Sequence, residues 1–414
     1  MKGDQAEILY GLQRLSLQLP GQSTILNLAE INRRINPQQF RRRLENMLDR
    51  YPLDLSWPIL VLADKTRLCG YPEYLPLLIE ILENRGMRRD ALQVIIAYGT
   101  HPAQSDKECL QAYGEIFHQL QFVHHDCENA DFEENGITNR GTPIRVRRDL
   151  LEASCVITMG AICHHYFAGY GGGRKLIFPG CGERHAIYAN HSLYLDQKEQ
   201  QLTPSCQPGI LENNPLAEDL FEVEDGGRTP DLAIHGILDS HGQLCDLLVG
   251  RGREDFLSAC RQHGENCESQ AGPFDYVIAS CGGYPKDINF IQSHKAIHNA
   301  AMFVRDGGML LLYCHCPDGI GSTTFLPWFR ESDFQAAFSR LAAGYEGNGG
   351  TALATMTKLQ RIRIGLVSDL DDEFFQLTRF ENMSHEAVQN MLNRISPEKS
   401  VTFIPNASLL VKKQ

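Results

Sequence analysis

The sequence of 414 residues has no apolar run near the roughly 20 residues that span a bilayer, no stripe of Lys and Arg, no CxxC cysteine pair, no internal repeat and no low-complexity tract. Each absence excludes a class of protein. Without a spanning run, a membrane helix is excluded. The opening residues also lack a charged segment followed by an apolar one, so the expected location is cytoplasmic. Lys and Arg number 39 against 51 Asp and Glu, a net charge of −12. Neither a nucleic acid nor an anionic membrane is therefore the expected partner, and a small molecule fits better. The thirteen cysteines are odd in number and scattered, which predicts reduced, packed thiols rather than a disulfide framework.

What is present has the pattern of an α/β protein. Short apolar runs at Pro58 to Ala63, Val94 to Tyr98, Cys155 to Met159, Tyr276 to Ala279 and Met309 to Tyr313 lack polar alternation, as parallel strands covered on both faces do. Helical stretches alternate with them. Pro72 to Glu83 carries proline near its start and has Gly86 just beyond its end. Ser105 and Glu108 form a capping-box pair opening a helix toward Leu120. Gln270 to Pro273 marks a boundary before a fresh strand at Phe274 to Ser280, and the helix expected over Asp287 to Val304 then makes a βαβ unit. The expectation is two α/β domains with mainly parallel sheets: residues 1–270 with 399–414 returning to them, and a Rossmann-like 273–398, with the active site in the cleft between them.

Polar residues follow the predicted strands at Asp64 to Arg67, Gly99 to His101, His164 to Gly180 and Gly282 to Asp287, and these four ends are expected to share one carboxyl edge, where ligands bind parallel sheets. The third segment has four glycines in five positions, Gly169 to Gly173, so its backbone can approach a ligand closely. It fits neither common phosphate-binding template. A Walker loop needs Ser or Thr after its lysine, where Leu176 stands, and the dinucleotide fingerprint needs glycine where Arg174 stands. Two other close-spaced groups, His124 to Cys127 and Cys314 to Cys316, lack the paired spacing of a structural zinc site.

The order of these segments resembles the lactate racemase family, whose members use a nickel-pincer nucleotide to racemise or epimerise 2-hydroxy acids. The resemblance is carried by Asp64-x-Thr66-Arg67, by Gly99-Thr-His101, by His165 to Lys175 with Pro179-Gly180, by Asn190-His191, and by Gly282-Gly-Tyr-Pro285 with Gln292 and Lys295. It implies that Lys175 is the covalent tether of the nucleotide and His191 the protein ligand of nickel, imidazole being a donor that suits this metal. It implies that His101 and His165 are the two acid/base residues. Asp64, Lys65, Thr66 and Arg67 would hold the nucleotide, and Gln292 and Lys295 the substrate carboxylate. His164 neighbours His165, but the separation of His165 from Lys175 fits the family pattern better.

The implied reaction avoids a difficulty. A hydrogen on carbon beside a carboxylate is poorly acidic, and hydride transfer to the cofactor sidesteps the carbanion, leaving a bound 2-keto acid. Two bases on opposite faces are then needed, and histidine accepts and donates protons near neutrality. Ile291 stands before Gln292 where lactate-specific members tend to carry an aromatic hydroxyl, so the expectation is a racemase or epimerase of an unassigned 2-hydroxy acid, dependent on separate cofactor-synthesis proteins. The alternatives are a non-catalytic carboxylate- or nucleotide-binding relative, and a hydrolase with zinc on His101, His165 and His191.

Overall fold

The apolar runs become strands because they are too short for a buried helix, and a segment apolar on both sides pairs its backbone in a sheet covered on both faces. In the computed structural model, which describes residues 2–31 and 33–414, Pro58–Ala63 and Cys155–Ala161 are buried at every position. They form the centre of a six-stranded sheet in the order Leu244–Gly250, Leu232–Leu238, Cys155–Ala161, Pro58–Ala63, Gln93–Ala97, Gln121–His124. All neighbours are parallel except the first pair. From Pro58–Ala63 the chain runs outward through two strands on one side, then returns to Cys155–Ala161 on the other. That reversal makes a switch point between the carboxyl ends of the two central strands, where the connecting loops diverge and leave a crevice.

The helix of the first crossover is Tyr71–Glu83, which buries Tyr74, Leu75, Leu78, Ile79 and Leu82. The capping box at Ser105 forms as expected, with Ser105 N–H donating to Glu108 Oε2 at 2.9 Å. This helix, Asp106–Tyr113, stops short of Leu120 because Gly114 adopts φ +76° over Pro72, where a Cβ would meet the proline at 3.2 Å.

A second six-stranded sheet is entirely parallel, in the order Glu381–Asn382, Arg363–Val367, Val304–Tyr313, Phe274–Ser280, Val401–Ile404, Thr24–Ile25. The expected βαβ unit is present. Its helix, Phe290–Ala301, begins at Asn289, whose side chain accepts from Gln292 N–H at 3.0 Å, and buries Ala296, Ile297 and Ala300 on one face of the sheet. The other face is covered by a hairpin, Lys2–Tyr10 with Gln13–Pro20, through Ala6, Ile8, Leu17 and Leu19 packed on Ile278, Leu311 and Phe403.

The chain divides into two compact units: Glu30–Leu193 with Ser205–Asn266, and the described part of Met1–Ala29 with Tyr194–Pro204 and Cys267–Gln414. This corrects the boundaries expected from sequence. The tail does not return to the first unit. Val401–Ile404 is fully buried and takes the slot beside Phe274–Ser280, in register Ile278 with Phe403, while Val411–Lys412 pairs with Glu268–Ser269. Among the described residues no cysteine is joined in a disulfide, and all but Cys163 are buried. Among the described residues no helix is long and apolar enough to cross a membrane.

Candidate functional site

Three of the four polar segments end strands of the first sheet. The fourth, Gly282 to Asp287, follows Phe274–Ser280 and so belongs to the other sheet, which corrects the expectation of a single shared edge. At the end of Pro58–Ala63 the buried Asp64 carboxylate accepts from Thr66 N–H at 2.9 Å and Thr66 Oγ1 at 2.6 Å through one oxygen. Its other oxygen lies 2.7 Å from His101 Nδ1. Burial pushes the Asp64 carboxyl up, but the bonds from His101 and Thr66 and the charge of Arg67 outweigh it and hold the group at about 2. An ionised Asp64 fixes the proton of a neutral His101 on Nδ1 and leaves Nε2 as the acceptor. Gly99 makes that placement possible. At φ +58° its N–H donates to Gly180 O at 2.8 Å, and a Cβ there would press on Pro179 O at 3.3 Å.

Beyond Cys155–Ala161 the chain folds back on itself, Cys163–His165 against Gly169–Gly171. His165 Nδ1 accepts from Ala168 N–H at 3.3 Å, so this imidazole carries its proton on Nε2, the opposite tautomer to His101. Gly172, at φ +77°, passes so close to Ala161 that a Cβ would lie 2.4 Å from its carbonyl oxygen. The single helical turn Gly173–Leu176 then sends Arg174 and Lys175 to different places. Arg174 is buried between the rings of Phe221, at 4.3 Å, and Phe256, at 4.9 Å. Lys175 enters the crevice, with Nζ 5.7 Å from the Phe167 ring centre. Burial, with Arg67 and Arg174 nearby, pushes its ammonium well below the usual lysine range, toward the neutral amine that acts as a nucleophile.

His191 is the last piece. It lies in the final turn of Arg184–Ser192, a helix capped by Glu183, whose carboxylate accepts from Ala186 N–H at 3.0 Å. Burial, aided by Lys175, pushes its imidazole down to about 3, so the ring stays neutral and able to donate a lone pair to a metal. Asp64, Arg67, His101, His165, Lys175 and His191 thus line one cavity of about 120 Å³ at the switch point, all contributed by the first unit.

The remaining candidates fall elsewhere. Lys65 is half-exposed and ion-paired with Glu108, and Thr66 spends its hydroxyl on Asp64; neither lines the cavity. His164 turns from it to His263, at 3.2 Å. Gln292 and Lys295 lie one turn apart on Phe290–Ala301 in the second unit, with Lys295 Nζ donating to Gln292 Oε1 at 2.8 Å. Ile291 packs against the hydrophobic core of that unit. Among the described residues no group of three His, Cys, Asp or Glu side chains is arranged to hold a metal, so His101, His165 and His191 do not form the zinc site of the hydrolase alternative. The donors suit a group that brings most of its own ligands: an unprotonated amine for a covalent tether, an unprotonated imidazole for a metal, and a glycine backbone with no side chain in the way.

Residues 10–203 match the lactate racemase N-terminal domain and residues 269–408 the lactate racemase C-terminal domain. A lactate racemase of Thermoanaerobacterium thermosaccharolyticum is 30% identical over 340 residues, 79% of this chain and 78% of that protein. One from Lactiplantibacillus plantarum is 28% identical over 272 residues, 64% of this chain and 62% of that protein. In fold, the chain resembles the solved lactate racemase apoprotein from T. thermosaccharolyticum, with a TM-score of 0.85 and 24% identity across 99% of this chain and 100% of that one. A protein from Thermotoga maritima superposes with a TM-score of 0.68 and 14% identity over 92% and 99% of the two chains.

Proposed function

The chain belongs to the lactate racemase family and is an isomerase of the racemase type, and from that premise we propose that it interconverts stereoisomers of a small 2-hydroxy acid, using a nickel-pincer nucleotide attached to Lys175. The observation that carries this reading is the meeting, in one crevice, of two histidines in opposite tautomers with a lysine and a third histidine both held toward their neutral forms. When bound, the nucleotide supplies a hydride acceptor and donor, with His191 as the nickel ligand and Lys175 as its tether. Arg67, at the edge of the same cavity, is assigned to its anionic part, with Asp64 orienting the loop.

The chain's own work is moving protons. His101 Nε2 takes the substrate hydroxyl proton, and Asp64, 2.7 Å from Nδ1, stabilises the imidazolium that results. For the opposite stereoisomer to form, His165 acts from its imidazolium form, with Nδ1 released from Ala168 N–H, and delivers the Nε2 proton to the oxygen of the 2-keto acid, ending neutral. After one turnover the two rings have exchanged protonation states, which is the form that accepts the product isomer. Each form of the protein therefore serves one hand of the substrate. Gln292 and Lys295 are assigned to the substrate carboxylate. Lactate, the acid in the relatives' names, is the first substrate to test. The Ile291 side chain packs on its own core and gives no reason to set lactate aside.

The test is to produce the protein together with cofactor-synthesis proteins, then measure nickel content, the mass of the Lys175 peptide and the isomer ratio of lactate and other 2-hydroxy acids by chiral chromatography. Nickel, a mass increment on Lys175 and convergence of either pure isomer to the same mixture are expected. A nickel-loaded protein that leaves every isomer in a broad panel unchanged would overturn the assignment.

A further inference from the structure

Arg174 points away from the Lys175 crevice into a second, smaller cavity that the proposed reaction leaves unused. Besides Arg174, this space is lined by Glu224, His235 and Phe256, with Arg251, Gly252 and Arg253 at its exposed mouth. Arg174 is 2% exposed. One guanidinium nitrogen, Nη2, donates to Ala168 O at 3.3 Å, while the buried Nε and Nη1 have no hydrogen-bond partner, and neither does His235 Nε2. Leaving two donor nitrogens of a cation buried and unmet is costly, and a native fold rarely does so without a ligand or water in place. The flanking aromatic rings attract the cation but accept no in-plane N–H bond.

The surroundings favour a negative occupant. Arg253 lies 4.2 Å over the Phe221 ring and pairs with Asp225 at 2.6 Å, while Arg251 is stacked on Tyr51 at 5.0 Å, so both reach the cavity mouth as cations. Gly252 and Arg253 also open the helix Arg253–Cys267, whose first turn presents a partial positive charge. The opposing groups are Asp225 at the rim, Glu254 and Asp255 in the first turn of that helix, Asp255 accepting from Arg251 N–H at 3.0 Å, and Glu224 inside. The open volume, about 20 Å³, accommodates a single water-sized sphere and excludes sulfate or phosphate.

We propose that this cavity binds one halide-sized monovalent anion, chloride in the cell, against Arg174, and that Glu224 competes with it as an internal carboxylate. Burial pushes the Glu224 carboxyl up to about 7 despite the opposing charge of Arg174. Below that pH the neutral acid leaves Arg174 to the external anion. Above it the Glu224 carboxylate takes over, and the anion is displaced. The site lies behind the turn that carries Lys175, so the anion braces the loop from the side opposite the proposed cofactor.

Bromide is the probe. Crystals of the full chain grown in bromide at pH 6 should show an anomalous peak within hydrogen-bond distance of Arg174, and bromide should raise the melting temperature more than an equal ionic strength of gluconate. Apparent bromide affinity should fall by up to about tenfold per pH unit above 7. Glu224→Gln should keep the peak and lose that pH dependence; Arg174→Gln should lose the peak. Should Arg174→Gln fail to fold, Glu224→Gln decides alone. A water in place of bromide, or a pH dependence unchanged in Glu224→Gln, overturns the proposal.

Discussion

The two sheets end alike and are used differently. Each has six strands, in each the chain runs outward on one side of an inner strand and returns on the other, and in each that strand is followed by a glycine-bearing connection. At the carboxyl edge of the first sheet the polar groups Asp64, His101, His165 and Lys175 face a cavity. At the matching edge of the second, the polar groups are committed to holding the hairpin. Asp287 Oδ2 accepts from Gly11 N–H at 2.7 Å and His315 N–H at 3.3 Å, and Asp369 joins Tyr10 Oη at 2.8 Å to His315 Nε2 at 3.1 Å. Gly283 approaches the hairpin turn so closely that a Cβ would lie 2.8 Å from Gly11 O. A switch point thus provides a place for chemistry, and what packs over it decides whether the place is used.

Substitutions at the two edges should therefore differ in kind. The largest effect is expected from Lys175→Ala, which should abolish both the mass increment and turnover; an undiminished increment would place the tether elsewhere. His101→Gln and His165→Gln should each keep nickel and lower kcat by about 10²–10⁴, the usual worth of a positioned acid or base. The two should also differ in which pure isomer they consume faster in single-turnover assays.

Asp64→Asn should be milder, on the order of a hundredfold in kcat, because His101 remains but loses the partner that fixes its tautomer. It should also change acid stability. The Asp64 carboxyl titrates lower in the folded protein than in the unfolded chain, so its stabilisation is complete above the ordinary carboxylate range and lost as pH falls through about 2. The contribution is about 2 kcal/mol, and urea unfolding at pH 7 and pH 3 should show a smaller acid loss in the variant. The smallest effect on chemistry is expected at the second edge. Asp287→Ala should leave kcat per folded molecule unchanged and lower stability by about 1–3 kcal/mol, since it orphans buried backbone N–H groups. A change in kcat larger than the change in folded fraction would mean that Asp287 itself shares in the reaction.

Much of the first edge was legible because its signals are local. Apolar runs without alternation mark buried strands, and Gly99, Gly172 and Gly173 mark places where backbone must pass closely. The Ser105 capping box is local in the same sense. The pairing of Asp64 with His101 was not legible, since it depends on which two strands become neighbours. The burial of Arg174 was hidden for the same reason: Phe221 and Phe256 come from distant segments. The hairpin is different, because Leu15, Leu17 and Leu19 alternate with Ser16 and Gln18 in a strand pattern that is local and plain in the sequence, while the sheet it covers is not. The placement of Val401–Ile404 turned on a choice between two sheets that the segment's own composition suits equally.

The assignment of the hairpin to the second unit has a consequence in time. On the ribosome, Ala6, Ile8, Leu17 and Leu19 emerge before any strand they cover, and their partners Ile278, Leu311 and Phe403 follow only after the whole first unit has been made. At about 5–20 residues per second that interval is on the order of tens of seconds, and a lone two-stranded hairpin is marginal in water. The first unit can close around its crevice during that wait, while the leading segment stays exposed to chaperones until the last strands of the chain arrive.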